Sequence, residues 1–399
     1  MSEKRLVVRR TVLKAAGGFA VLVVGGSVWR AWDQGVFSTG QGPAFEPWKS
    51  WRGDQTAGTV ALVRAAILAA NPHNTQPWLF RVNQSRIDLF ADTKRNIGAI
   101  DPYFREMYTG LGCALENLLL AAKANRYTHK LELMPTPADP THAARIDLGP
   151  GERSAVELYD AIPNRHTNRG PYDLQRAVRP ETLKALEALG DDNSKVFWFT
   201  SEKDRRRVGE LIVRASEAIV ADAEQSRDSA QWLRFRWPDI QRYRDGITID
   251  ASVSPTLMRA AAKILPPVSR EQSDRFWLKA TKEKVVATAA GFGILSVRDA
   301  RDNTERLRGG RVWQRMQLWG TTQGLALHPQ SQLTERADRE RSLGVEGKFG
   351  NALENLIGDS KWQGLMTFRF GPIHPPRTSE SAADQAFTQT YAAYVREKL

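Results

Sequence analysis

Asn71-Pro72-His73-Asn74-Thr75-Gln76-Pro77-Trp78 and, further along the 399-residue chain, Arg165-His166-Thr167-Asn168-Arg169 are the two segments that say most about this protein. The first packs amide side chains and a proline between an apolar run and a strand-like run. That chemistry suits hydrogen bonding to a polar ring edge or a polyol, and does not suit metal binding or nucleophilic attack. The second is a cationic fork with a hydroxyl inside it. Two arginines four residues apart around a threonine suit a phosphate group, because guanidinium gives bidentate charge-assisted hydrogen bonds and the hydroxyl adds a donor. Read alone, Arg165 and Arg169 fit equally well a solvated face paired with carboxylates, and Trp78 reads as a core aromatic.

The first thirty residues follow a different logic. Lys4, Arg5, Arg9 and Arg10 precede an apolar stretch from Ala15 to Trp29 that is rich in glycine and alanine. That is the order of a twin-arginine export signal. The stretch is short against the roughly 20 residues a spanning helix needs. No small-x-small cleavage site follows it, so retention as a membrane tether on the outer side stays open beside cleavage and release to the periplasm. The twin-arginine route generally carries proteins that fold around a cofactor before crossing, which favours a cofactor protein.

Of the net charge of +12, residues 1–30 hold six basic side chains and one acidic, so +5 belongs to the leader and +7 is spread over the remainder. No dense basic run interleaves with aromatics, which argues for solubility and an anionic ligand and against nucleic acid. The single cysteine, Cys113, excludes an intramolecular disulfide and a cysteine cluster for metal. His328 and His374 lack further ligands at suitable spacing, so no metal site is expected.

Periodicity predicts a helix over Thr59–Ala70, a hairpin from Leu79–Val82 and Ile87–Phe90 around Asn83-Gln84-Ser85-Arg86, and a long apolar helix over Gly110–Asn125. Strand-like runs follow at His129–Met134 and Ala144–Leu148, then a helical start at Ala155. The second half repeats the plan, with strands at Lys195–Thr200, Gly291–Val297 and Leu365–Phe370 and a helix from Gly310. Gly112 registers on Gly310, a shift of 198 residues (310 minus 112), which also pairs Leu118 with Met316 and Asp101 with Asp299. An insertion of about 201–290 is either a lid over a pocket or a plain surface hairpin.

These residues carry a resemblance to the flavin-dependent nitroreductase superfamily. Its fork of the form Arg-Arg/His-Ser/Thr-x-Arg/Lys is matched by Arg165, His166, Thr167 and Arg169. Its Asn-x-Gln-Pro-Trp element is matched by Asn74, Gln76, Pro77 and Trp78, with Asn71 and Pro72 where small residues are usual. A later helix ending in Gly-Leu before a proline-containing flavin loop is matched by Gly324-Leu325 and His328-Pro329-Gln330-Ser331-Gln332. The resemblance runs from about Thr59 to Arg377. Ordinary members carry the fork first and the Gln-Pro-Trp segment soon after; here the order is reversed and the two lie in different halves. The chain thus resembles the Acg-like actinobacterial branch, whose twin-domain members bind FMN.

That resemblance implies an α+β, nitroreductase-like fold made of two fused nitroreductase-type domains that form an internal pseudo-dimer within a monomer. The expected division is 1–30 leader or anchor, 55–150 first domain, 151–380 second domain with its insertion, and 381–399 a tail helix. It further implies one composite FMN site. Arg165, Thr167 and Arg169 would take the phosphate, with His166 beside them and Arg377 adding charge. Asn71, Pro72, His73, Asn74 and Gln76 would border the cofactor from the other domain, and Pro329, Gln330 and Ser331 would cap the ring. With chemistry at the flavin no side-chain nucleophile is needed, and the partner is a small-molecule electron acceptor, a nitroaromatic or quinone. Two functions fit: an exported FMN oxidoreductase, or a non-catalytic protein that stores FMN.

Overall fold

The computed structural model describes residues 28–51, 58–154, 157–252 and 256–374. The expected twin-arginine segment before Val28, Arg377 and the expected tail helix at 381–399 lie outside these described residues.

The polar turn Asn83-Gln84-Ser85-Arg86 closes a hairpin, with the Asn83 amide donating to the Arg86 carbonyl at 2.9 Å. Strands β1 (Trp78–Val82) and β2 (Arg86–Ala91) pair across it. Ahead of β1 lies helix α1 (Thr59–Ala66), four residues shorter than its periodicity predicts because the chain turns at Ile67–Leu68 toward the Asn71 loop. Helix α2 (Arg105–Ala124) follows β2 and is buried along almost its whole length, as a helix apolar all round must be. Strands β3 (Tyr127–Leu133) and β4 (His142–Pro150) complete an antiparallel sheet of order β1-β2-β4-β3.

The second sheet has the same topology. Strand β5 (Ser194–Phe199) leads into an insertion containing α3 (Glu202–Ala221), α4 (Ala223–Ala230), α5 (Thr256–Ile264) and α6 (Arg270–Ala280). Strand β6 (Gly291–Val297), helix α7 (Asn303–Thr322), strand β7 (Leu325–Pro329), helix α8 (Gln332–Leu343) and strand β8 (Gln363–Pro372) follow, and the sheet order is β5-β6-β8-β7, all antiparallel. In both sheets the long central helix lies between the second and third strands. The stretch after Gly324-Leu325, expected as a loop, is strand β7, and it is the element that completes the repeat.

The two halves meet along α2 and α7. Gly112 and Gly310 face each other with only 3.0 Å between a Cβ built on either and the other's Cα. A side chain at Gly112 would collide with the Leu307 carbonyl and one at Gly310 with the Thr109 carbonyl. Thr109 and Leu307 are themselves related by the 198-residue shift, so this crossing is an internal two-fold axis. Around it Leu111, Leu115 and Leu118 share one core with Leu307, Val312 and Met316. Where the crossing buries amides it pairs them: Gln314 donates to Asn117 at 2.8 Å, and Asn117 to the Ala65 carbonyl at 2.8 Å. Strand β6 is buried on both faces, by the α7 core on one side and by Val208 and Ile212 of α3 on the other.

Candidate functional site

The Asn71–Gln76 loop is held in a costly shape. His73, Asn74 and Gln76 have φ of 46°, 54° and 52°, the left-handed region that costs an L residue about 1–2 kcal/mol. Such strain persists only where the surroundings over-determine it. Here the Asn71 side chain accepts from the Gln76 amide at 2.8 Å and donates to the Ala69 carbonyl at 3.1 Å. The Ala70 amide donates to Gln314 of α7 at 3.2 Å, so the far half fixes where the loop begins. Pro72 and Asn71 sit against α2 at Gly110, where a Cβ would lie 3.0 Å from the Pro72 ring.

The insertion supplies the rest of the restraint. Gln76 Nε2 donates to the Arg244 carbonyl at 2.7 Å, Asn74 Nδ2 to the Gly246 carbonyl at 3.3 Å, and His73 Nε2 pairs with the Ser229 hydroxyl at 3.1 Å. Arg95 joins the Thr75 carbonyl to Asp245, the latter at 2.6 Å. Burial and the nearby Arg169 push the His73 pKa down to about 4, so its ring is neutral at pH 7.

Facing this loop is the fork. Arg165 is fully buried, donating to Gln317 at 3.3 Å and to the Leu68 carbonyl at 3.2 Å, while its Nε has no partner. Arg169 likewise leaves a buried Nη1 unpaired. Burial pulls the pKa of both down to about 10, with Arg169 adding to the effect on Arg165 and Arg369 to that on Arg169, which still leaves them charged at neutral pH. Among the described residues no carboxylate lies within ion-pair distance of either. Buried charge without a counter-charge is expensive unless something pairs with it. A third arginine, Arg369 of β8, donates to the carbonyls of Arg169 and Gly170 at 2.8 Å each and to His328 Nδ1 at 3.1 Å, and lies over the Tyr172 ring at 4.0 Å. Burial and these cations hold the His328 pKa well below the usual histidine value.

Loop and fork open onto one cavity of about 1200 Å³. Asn71, Pro72 and His73 line it from the first half; Arg165, Thr167, Arg169, Pro329, Gln330 and Ser331 line it from the second. Gln330 Oε1 is a further buried atom there with no partner. Three residues expected at the ligand face elsewhere. Asn74 and Gln76 spend their side chains on the insertion backbone, and His166 lies beside Trp48 with 4.5 Å between ring centroids. Their contribution is to hold the loop and the fork in place. Trp78 is in the core.

Sequence patterns alone did not point to several of the cavity's groups. Arg369 braces it, and an arginine inside the apolar run Leu365–Phe370 was the available signal; His328, which lines it from β7, stands in the matched loop His328–Gln332 but was given no role there. Glu106 of α2 and Glu335 of α8 also line it and share a hydrogen bond. Burial, and then the charge of Asp101, raises the Glu106 pKa to about 7, and burial beside Glu106 holds Glu335 well above the carboxylate range. The insertion walls the outer cavity with side chains such as Ile219, Phe235, Ile247 and Trp277. Cys113 lies on the cavity wall, with burial pushing its thiol up to about 12. Among the described residues no group of three or more His, Cys, Asp or Glu is arranged to hold a metal ion.

No family model matches the chain. A Mycobacterium tuberculosis protein named "Putative NAD(P)H nitroreductase" is 34% identical over 299 residues, covering 73% of this chain and 80% of that protein. The chain belongs to the nitroreductase family. A second member from the same organism, named "Putative NAD(P)H nitroreductase acg", is 35% identical to this nitroreductase over 147 residues, 33% of this chain and 43% of the relative. Among solved structures, the FMN-dependent nitroreductase NfnB of Mycobacterium smegmatis in complex with NADPH matches at a TM-score of 0.33 and 16% identity, over 58% of this chain and 91% of that one. A Bacteroides fragilis nitroreductase with bound FMN matches at 0.33 and 13% identity, over 57% and 97%.

Proposed function

We propose that this nitroreductase is an exported FMN-dependent oxidoreductase that passes two electrons from a reduced donor to a nitroaromatic or quinone-like acceptor. The observation that carries the reading is the arginine fork, Arg165 buried and Arg169 half-buried, each with a buried unpaired N–H and no carboxylate partner among the described residues, set in a cavity built by both halves. A phosphate monoester supplies the missing charge and acceptors. Arg165, Arg169 and the Thr167 hydroxyl would hold that phosphate, while Asn71, Pro72, His73, Pro329, Gln330 and Ser331 would border the remainder of FMN. When bound, FMN supplies the redox chemistry, and the protein supplies orientation and electrostatics. The chain's own part is to hold neutral rings at His73 and His328, keep the fork charged, and retain a proton on the Glu106–Glu335 pair at the cavity wall.

Under the same reading the chain divides into a first domain at 55–150 and a second at 151–380, and the twin-arginine leader delivers it to the periplasm or leaves it tethered on the outer side of the membrane. A second reading, FMN storage without turnover, is favoured by the insertion, whose side chains wall the outer cavity. The two separate on one preparation. Bleaching of the flavin spectrum by NADPH and its return on adding a nitroaromatic or quinone supports the enzyme. Bleaching by dithionite alone, with no turnover of either acceptor class, supports storage.

A further inference from the structure

Helix α5 is built inside out. Its two cations, Arg259 and Lys263, are buried against the protein: Lys263 pairs with Asp250 at 2.7 Å and donates to Thr39 at 2.9 Å, and Arg259 donates to the Asp250 carbonyl at 3.0 Å. Its apolar side faces outward, with Leu257 at 81% exposure. Leu265, just past the helix, and Phe276 and Trp277 of α6 continue the surface, and these three also line the cavity, so the apolar rim is the cavity mouth. The helix at residues 28–33 extends it. Arg30 donates to the Ile264 carbonyl, Lys263 to the Gly35 carbonyl, and Trp29 and Trp32 point to solvent at 67% and 73% exposure.

We propose that this face is a membrane-surface docking site that seats the cavity mouth on an anionic bilayer. Charge selects the occupant. Arg270, Arg275, Lys279 and Lys282 are exposed around the apolar rim, and apart from the buried Arg259 and Lys263, residues 256–286 carry five basic side chains (7 − 2) against three acidic. An apolar face with tryptophans and a basic border is the pattern of an interfacial helix, whose rings sit at headgroup level while its cations meet anionic lipid. A second copy of this chain would bring the same positive border against itself, which costs affinity. The sequence agrees, since the apolar run Ala15–Trp29 is continuous in sequence with the helix at residues 28–33. The cavity also exceeds the roughly 300–1,000 Å³ of ordinary small-molecule sites, so a mouth on the bilayer admits a lipid-soluble ligand to its insertion-lined part. The docking itself holds whether or not the inner cavity binds FMN.

The test uses the full chain with a single reporter. Cys113 is buried and the only cysteine, so Leu257→Cys and, on the β1–β2 turn far from the rim in sequence, Ser85→Cys can each be labelled with a polarity-sensitive fluorophore. On vesicles of phosphatidylcholine and phosphatidylglycerol the label at 257 is expected to shift to the blue and to be quenched by brominated lipid, while the label at 85 stays aqueous. Arg270→Glu with Lys279→Glu should reduce the quenching at 257. Equal, aqueous behaviour of both labels on vesicle-bound protein would overturn the proposal, as would failure to bind vesicles. A blue shift at 257 that grows with protein concentration in the absence of lipid would instead identify a second copy as the occupant and equally overturn it. Phe276→Cys repeats the measurement if the substitution at 257 impairs folding.

Discussion

Arg165 and Arg169 are costly residues for the fold, because each keeps a buried N–H without an acceptor in the protein itself. Replacing both with alanine is expected to abolish co-purified FMN while leaving the far-UV spectrum unchanged; full flavin content in the double variant would remove the phosphate assignment. Arg369 differs, since its guanidinium already satisfies the Arg169, Gly170 and Val285 carbonyls and His328. Lysine lacks the planar fork, so Arg369→Lys should leave buried carbonyls unsatisfied and cost about 1–3 kcal/mol, read as a lower denaturant midpoint. The Glu106–Glu335 pair makes stability depend on pH. Its folded-state pKa is raised, so the folded protein keeps a proton that the unfolded chain releases above the ordinary carboxyl value of 4.5, and stability falls as pH rises toward about 7. Glu106→Gln should flatten that slope in unfolding curves taken from pH 4.5 to 8; an unchanged slope would show the pair does not hold the proton. The loop and fork were legible in sequence because their chemistry sits in contiguous residues. The carboxyl pair was not, because 229 positions separate its members (335 minus 106) and only the fold brings them together.

At the scale of elements, the α2–α7 crossing depends on two glycines. Gly310→Val would drive a side chain into the Thr109 carbonyl, and overpacking of this kind costs about 1–3 kcal/mol or more. Thermal unfolding should show a clear loss for Gly310→Val and little for Gly347→Ala, where a Cβ meets nothing within 4 Å. The Gly112–Gly310 register was visible as spacing, but spacing could not show that these glycines touch. Strand β7 was hidden for a physical reason: Leu325–Pro329 is five residues long, holds a buried histidine and ends in proline. Its place is fixed by pairing with β8, from Phe368 opposite Pro329 to Pro372 opposite Leu325. Within the insertion the amphipathic run Val208–Ala221 shows in the sequence and forms part of α3, whereas α5 escaped periodicity because it inverts the usual rule and buries its cations.

For the whole molecule, two sheets of identical strand order joined at an internal two-fold axis would allow two equivalent cavities, yet only one side carries the loop and the fork. The 198-residue shift that relates Gly110 and Cys113 on the cavity wall to Arg308 and Arg311 shows what became of the other side. There Arg311 pairs with Glu116 at 2.8 Å and Arg308 with Glu305 at 2.7 Å, so its cations are already matched. Sequence order had placed loop and fork in different halves; the fold brings them to one cavity. The most direct test is the flavin content of the purified full-length protein, measured by visible absorption and by FMN released on denaturation. A single composite site gives a flavin spectrum with one FMN per chain; a colourless protein that takes up no FMN on reconstitution, or one that holds two, would refute it.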